Sequence, residues 1–265
     1  MMYTTQAIYE KEILFLCPSK GRAKTCTTHK VLPDVKYLVS PEEHDDYCDN
    51  VGENNVLRLP EGIQVAPMGK CRALNYALDN YKTNGNMVLF TDDDIVKIYR
   101  IDFLDKNKAK EITVDELRIV LSKMKFIADN IGAKIGGFAC LSTPDTLQMG
   151  LSNRFKLTQK KYIDGKATIV FDDDGTRYDE KLYLKEDIDF NCQSLLKNKR
   201  TLSAQFVCFV GKALSNSGGV VDVRSNDEEL RQGSMMIKKY GQMLRLRVSN
   251  SGSGVRRKAV QFGIK

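Results

Sequence analysis

Two stretches carry three consecutive aspartates behind an apolar run: "NMVLFTDDDI", residues 86–95, and "ATIVFDDDGT", residues 167–176. Adjacent carboxylates at the end of a buried strand repel one another unless a cation is present. Hard oxygen ligands suit Mg²⁺ or Mn²⁺ and leave positions open for phosphate oxygens. Either triplet could serve metal-assisted phosphate chemistry, but their surroundings differ.

The second triplet, "FDDDGT", resembles the D-x-D-G-T motif of haloacid dehalogenase-like phosphatases. That resemblance implies Asp172 as nucleophile and Asp174 as acid. The family carries the motif on its first strand, whereas here about two thirds of the chain precedes it. Arg177 stands where an apolar residue is usual, and no clear pair of acids follows for a magnesium ion. Asp174-Gly175 is itself a turn signal, because glycine accepts the positive φ a tight hairpin demands. The expectation is a hairpin over "KATIVFDDDGTRYDEKLYL" with its acids at the solvated tip, and a phosphatase as the lesser alternative. The first triplet has no glycine and runs straight into the apolar "IVKIYRI". Its bland alternative is an acidic strand end facing water.

The elements that must position these groups alternate. "EILFLCPS" (12–19), "VKYLVS" (35–40), "NVLRLP" (55–60), "NMVLFTDDD" and "AKIGGFACL" (133–141) read as strands. Arg22–Leu32, the segment opening at Pro41, residues 68–81 and residues 113–132 read as helical. Pro41 suits a first helical turn. Thr113 with Glu116 fits a capping box, and Gly132 a stop. Residues 185–199 and 226–241 read as further helices, with Asn226 as N-cap and Gly241 as stop. "QMLRLRVS" reads as a final strand. Strand–helix alternation implies an α/β sheet of mostly parallel strands, whose ligands bind at the carboxyl ends. "CPSKGR" and "TDDD" both sit at such ends.

Four segments in order then carry a resemblance: "FLCPSKGR" (15–22), "MGKCRALNYAL" (68–78), "LFTDDDI" (89–95) and "LKEDIDFNCQSLLKN" (184–198). Together they resemble nucleotide-sugar-dependent glycosyltransferases of the GT-A fold. More closely, they resemble the phage and eukaryotic group associated with TET/JBP oxygenases, which glycosylates hydroxymethylated pyrimidines in DNA. The resemblance implies a UDP-sugar donor and Mn²⁺ or Mg²⁺. It places Pro18, Ser19 and Arg22 at the base and ribose, and Lys70, Arg72 and Asn75 near the nucleotide and its diphosphate. Asp92 contacts the ribose, and Asp94 holds the metal with Asp92 or Asp93. Asp187 becomes the general base on the acceptor hydroxyl, with Glu186 orienting the acceptor. Those acids also simply favour the positive end of their helix.

Many GT-A enzymes supply a late histidine to the metal. This chain has only His29 and His44, and "SNSGG" (215–219) offers Asn216 or a carbonyl instead. Residues 231–265 hold nine Lys/Arg and no Asp/Glu, against a net charge of +7, which points to an anionic partner. Arg245, Arg247, Arg256, Arg257 and Lys258 are the candidate phosphate contacts, to DNA or to the donor diphosphate. Division as one GT-A-like domain is expected: residues 12–110 for the donor, 133–230 for the acceptor, and a basic end. Competing readings are a GT-A enzyme with a glycan, protein or small-molecule acceptor, and a DNA-binding module without catalysis. Seven scattered cysteines without a C-x-x-C read as reduced core residues. No apolar run is long enough to span a bilayer. The expected location is cytoplasmic, or the host cytoplasm for a phage protein.

Overall fold

A computed structural model describes residues 13–83, 85–101, 109–139, 157–159, 163, 165–212, 225–250 and 258–264, with 158–159, 245–250 and 258–264 by backbone alone. The elements run β1 (Ile13–Pro18), β2 (Lys36–Val39), α1 (His44–Val51), β3 (Val56–Arg58), α2 (Gly69–Asn80), β4 (Met87–Thr91), β5 (Ile95–Ile101), β6 (Ala109–Glu111) and α3 (Val114–Ile131). There follow β7 (Ile135–Phe138), β8 (Leu157–Gln159), β9 (Ala167–Val170), α4 (Glu186–Asn198), β10 (Leu202–Ala204), β11 (Val207–Gly211), α5 (Asn226–Tyr240), β12 (Leu244–Asn250) and β13 (Lys258–Ile264).

Eight strands form the main sheet in the order β3-β2-β1-β4-β9-β7-β10-β8. β1, β2, β3 and β4 pair in parallel, as do β7 and β10; β9 and β8 run against their neighbours. This is the mostly parallel α/β sheet expected. Both faces are covered, as parallel sheets require. Along β1 and β4, Phe15, Cys17, Met87 and Leu89 join Leu117, Leu121 and Met124 of α3 on one side. Leu16, Val88 and Phe90 join Leu74, Ala77 and Leu78 of α2 on the other. The α3 cap forms as expected: Thr113 Oγ1 accepts the Glu116 N–H, Glu116 accepts the Thr113 N–H, and Gly132 closes the helix in left-handed backbone. Such a cap stabilises a helix by about 1 kcal/mol.

Topology separates the aspartate triplets. β1 and β4 are parallel, with Leu16 opposite Phe90, so "PSKGR" and "TDDD" emerge at one edge. β9 is antiparallel to β4, with Thr91 opposite Ala167 and Val88 opposite Val170. Residues 172–174 therefore leave the sheet at the opposite edge. The expected hairpin does not form: only β9 is a strand. Gly175 has the positive φ of a turn, 78°, but the chain then crosses to α2, drawn there by side-chain bonds described below.

Arg22–Leu32 is not helical. It forms a turn at residues 23–25 and one 3₁₀ turn, Thr28–Lys30. Its threonines bond across the sheet edge instead. Thr28 Oγ1 donates to the Asp92 carbonyl (2.7 Å) and accepts the Ile95 N–H (3.1 Å), while Thr27 Oγ1 donates to the Ile95 carbonyl (3.0 Å). Side-chain bonds of this kind compete with a helical ladder, and here they clip the backbone of the first triplet. Downstream of the triplet, β5 joins a separate antiparallel sheet, β11-β5-β6. α5 is capped by Ser225, one residue before the expected Asn226. Gly241 is in right-handed backbone, so it is not a left-handed stop. The basic end forms the antiparallel pair β12–β13, where a lone strand and a loose segment were expected.

Candidate active site

The edge where β1 and β4 end holds a recess lined by Pro18, Lys70, Asp92, Gly165, Tyr178, Glu186 and Asp187, with Leu74 and Phe90 as apolar wall. The lining comes from four elements: Pro18 from β1, Lys70 from the first turn of α2, Asp92 from the end of β4, and Glu186 and Asp187 from the first turn of α4. Lys70 joins the two sides. Its Nζ lies 3.0 Å from Glu186 Oε1 and 3.5 Å from Asp92 Oδ1. Burial alone would lower its pKa, but Glu186, Asp92 and Asp187 hold it well above the usual lysine value. Burial pushes the Glu186 carboxyl up, Lys70 pulls it down, and Asp187 adds to the rise, leaving it above its ordinary value. Asp187 is half-buried. Its Oδ1 accepts the Ile188 N–H at 2.8 Å. A Cβ on Gly165 would stand 3.1 Å from the Asp187 Cβ.

The three members of the first triplet take different roles. Asp93 is buried and turned inward: Oδ2 accepts from Ser19 Oγ at 2.5 Å and Oδ1 from Arg22 Nη1 at 2.8 Å. Ser19 Oγ also bonds Tyr47 Oη at 2.6 Å. Asp93 thus braces the loop after β1, and both of its oxygens are committed there, so a metal-ligand role for it does not fit. Asp94 is the reverse. Burial, then Asp92 and Asp93, push its pKa up to about 6. No hydrogen bond to its carboxylate is present among the described residues. Gly211 of β11 lies against it: a Cβ there would sit 2.7 Å from Asp94 Oδ1. A half-buried carboxylate with raised pKa and no donor is chemically suited to a divalent cation. Among the described residues no three His, Cys, Asp or Glu side chains gather as a closed metal cage. Asp92 and Asp94 would hold a cation together with ligands from elsewhere.

Arg72 and Asn75, expected near the nucleotide, bond to the segment that follows Gly175. Asn75 pairs twice with the Tyr178 backbone, Nδ2 to the carbonyl (2.9 Å) and Oδ1 from the N–H (2.8 Å). Arg72 Nε donates to Glu180 Oε2 at 2.9 Å. They pin the crossing segment to α2 and are not among the residues that line the recess. That crossing places Tyr178 in the wall, stacked on Phe190 of α4 with ring centroids 4.2 Å apart. The second triplet is also bound locally. Asp172 pairs with Lys134 and Asp173 with Arg177. Asp174 accepts the Thr176 N–H and bonds Asn198. None of its carboxylates reaches the recess.

The sequence reading missed Tyr178, Gly165, Gly211 and Lys166, whose charge opposes the rise of Asp94 and whose carbonyl accepts the Asp92 N–H. A lysine or glycine outside any motif gives no local signal. His29 and His44 are bonded to Tyr37 and Asp45. Arg245 and Arg247 lie in β12, and Lys258 begins β13. Asn216, Arg256 and Arg257 lie outside the described residues. Among the described residues no helix is long and apolar enough to cross a membrane.

A family model described as TET-associated glycosyltransferase matches residues 14–219, most of the chain. No curated protein matches. Among solved structures, S. aureus TarS 1-349 in complex with UDP is 14% identical, with a TM-score of 0.43, over 85% of this chain and 65% of that chain. This chain thus spans less than two thirds of that one, and a likeness so slight carries no weight here.

Proposed function

The chain belongs to the TET-associated glycosyltransferase family, and we propose that it moves a sugar from a nucleotide-sugar donor, a UDP-sugar, to the hydroxyl of a hydroxymethylated pyrimidine in DNA. The observation that carries the reading is Lys70. It stands between a strand-end carboxylate, Asp92, and the helix-start acids, Glu186 and Asp187, in one recess. Donor-side and acceptor-side groups are thereby brought within one sugar's reach.

The roles follow from position. The loop after β1, held by Asp93 through Ser19 and Arg22, faces the nucleotide together with Pro18. Lys70 and Lys166 supply positive charge for the diphosphate, reinforced by the N-terminal end of α2. Asp92 and Asp94 would hold Mn²⁺ or Mg²⁺, which when bound neutralises charge growing on the leaving nucleotide. Asp187 accepts the proton of the acceptor hydroxyl as its oxygen bonds the anomeric carbon and the bond to the diphosphate breaks. Glu186, paired to Lys70, fixes the cation that separates the two half-sites. The basic β12–β13 segment supplies phosphate contacts that are salt-sensitive and independent of sequence.

The test uses radiolabelled UDP-sugars with Mn²⁺ and DNA that contains hydroxymethylcytosine. Label should enter acid-insoluble DNA and disappear in Asp187→Asn. Transfer to small glycans in place of DNA would move the acceptor to another class. Absence of transfer from every donor to every acceptor would remove the reading altogether.

A further inference from the structure

Behind the acids lies an arrangement that the chemistry above does not use: α5 is pinned to the start of α4. Glu229 Oε2 accepts Lys185 Nζ at 2.5 Å, and the two side chains are only 9% and 8% exposed. Gln232 Oε1 accepts the Leu184 N–H at 2.8 Å. Further along, Tyr240 Oη and Lys239 Nζ donate to Asp189 Oδ1 at 2.7 and 2.8 Å, and Asp189 is fully buried. Residues 184, 185 and 189 bracket Glu186 and Asp187.

A buried ion pair is a poor source of net stability, because desolvation offsets its attraction. The helices are already held by an apolar cluster that includes Ile188, Cys192, Met236 and Tyr240. What hydrogen-bonded groups add over apolar contact is direction. Lys185 is the N-cap of α4, so its anchor fixes how the first turn, with both acids, is rotated. General-base catalysis needs hydrogen-bond reach to the acceptor proton. A misplacement of about 1 Å costs on the order of 10²-fold in rate.

We propose that α5 is a positioning element of the active site, and that Glu229 sets the placement of Asp187 by holding Lys185. The inference rests on Asp187 being the base. α5 lies outside residues 14–219, the span that marks the family, so the role belongs to this chain's own C-terminal part.

The experiment compares the full chain with Glu229→Ala, Glu229→Gln, and the double variant Lys185→Met with Glu229→Leu, which replaces the ion pair by apolar contact. Glu229→Ala should lower kcat by on the order of 10- to 100-fold with the donor KM within about twofold of the parent. Glu229→Gln, which keeps an oxygen for Lys185, should recover most of the loss. The double variant should melt like the parent yet be as slow as Glu229→Ala. Full kcat in a folded double variant would overturn the proposal. Amide exchange over residues 186–190 gives a readout independent of transfer. It should quicken by about tenfold in the double variant, with α2 unchanged, and unchanged exchange would equally overturn the proposal. A parent without sugar transfer would count against the proposed function, and exchange would still decide the role of α5.

Discussion

The Asp94 carboxylate accepts no hydrogen bond among the described residues, and burial beside Asp92 and Asp93 lifts its pKa from 3.8 to about 6. The fold therefore bears a cost for ionising it. That cost is absent below the ordinary carboxylate value and complete above about pH 6. Asp94→Asn should accordingly stabilise the metal-free chain at pH 7.5 by about 1 kcal/mol after screening, or roughly 2–4 °C in Tm, and bring little gain at pH 4. The same variant should lose sugar transfer. Paired melts and assays check both halves, and a destabilised or active variant would contradict the role. Gly211→Ala should act at the same atom, since the new Cβ would meet Asp94 Oδ1 at 2.7 Å. Activity should fall by on the order of 10-fold or more, with metal titration showing weaker support of turnover. Asp94 was legible in the sequence as an acid ending a strand without a turn residue. Its separation from Asp93 was not, because Ser19 and Arg22, which claim Asp93, lie 74 and 71 positions away.

Helices and strands were legible where a periodic pattern and a cap agreed. α3 is the clearest case: apolar spacing, Thr113, Glu116 and Gly132 all point to one helix. The reading failed where distant bonds outweighed local pattern. Thr27 and Thr28 spend their hydroxyls on the backbone at residues 92–95, and the expected helix there gives way. The resemblance placed Asn75 near the nucleotide, yet its partner, Tyr178, is 103 positions on. Asn75→Ala should thus behave as a loss of an internal clamp. Two backbone groups lose their partners, at about 2–3 kcal/mol in all, and thermal melts should show the loss even without donor. A variant with unchanged Tm and a raised donor KM would restore Asn75 to the nucleotide.

At the scale of the molecule, one edge of the sheet collects the chemistry while the opposite edge holds the second triplet in local pairs. Strand direction decides this. β9 runs against β4, so two similar acidic runs finish at opposite ends, and no single segment announces that arrangement. The excess charge lies at the C-terminal end, in and around β12–β13. Replacing Arg245 and Arg247 by alanine should weaken retention on DNA of any sequence and reduce the slope of log affinity against log salt by about 2. Fluorescence anisotropy across a salt series checks this, and an unchanged slope would place those arginines elsewhere. Sugar transfer itself is most directly tested by mass spectrometry of nucleosides digested from hydroxymethylcytosine DNA after incubation with Mn²⁺ and a set of UDP-sugars. The account predicts a modified nucleoside heavier by one sugar residue with the parent chain, and none with Asp187→Asn. An unmodified base with every donor, or equal modification by Asp187→Asn, would contradict it.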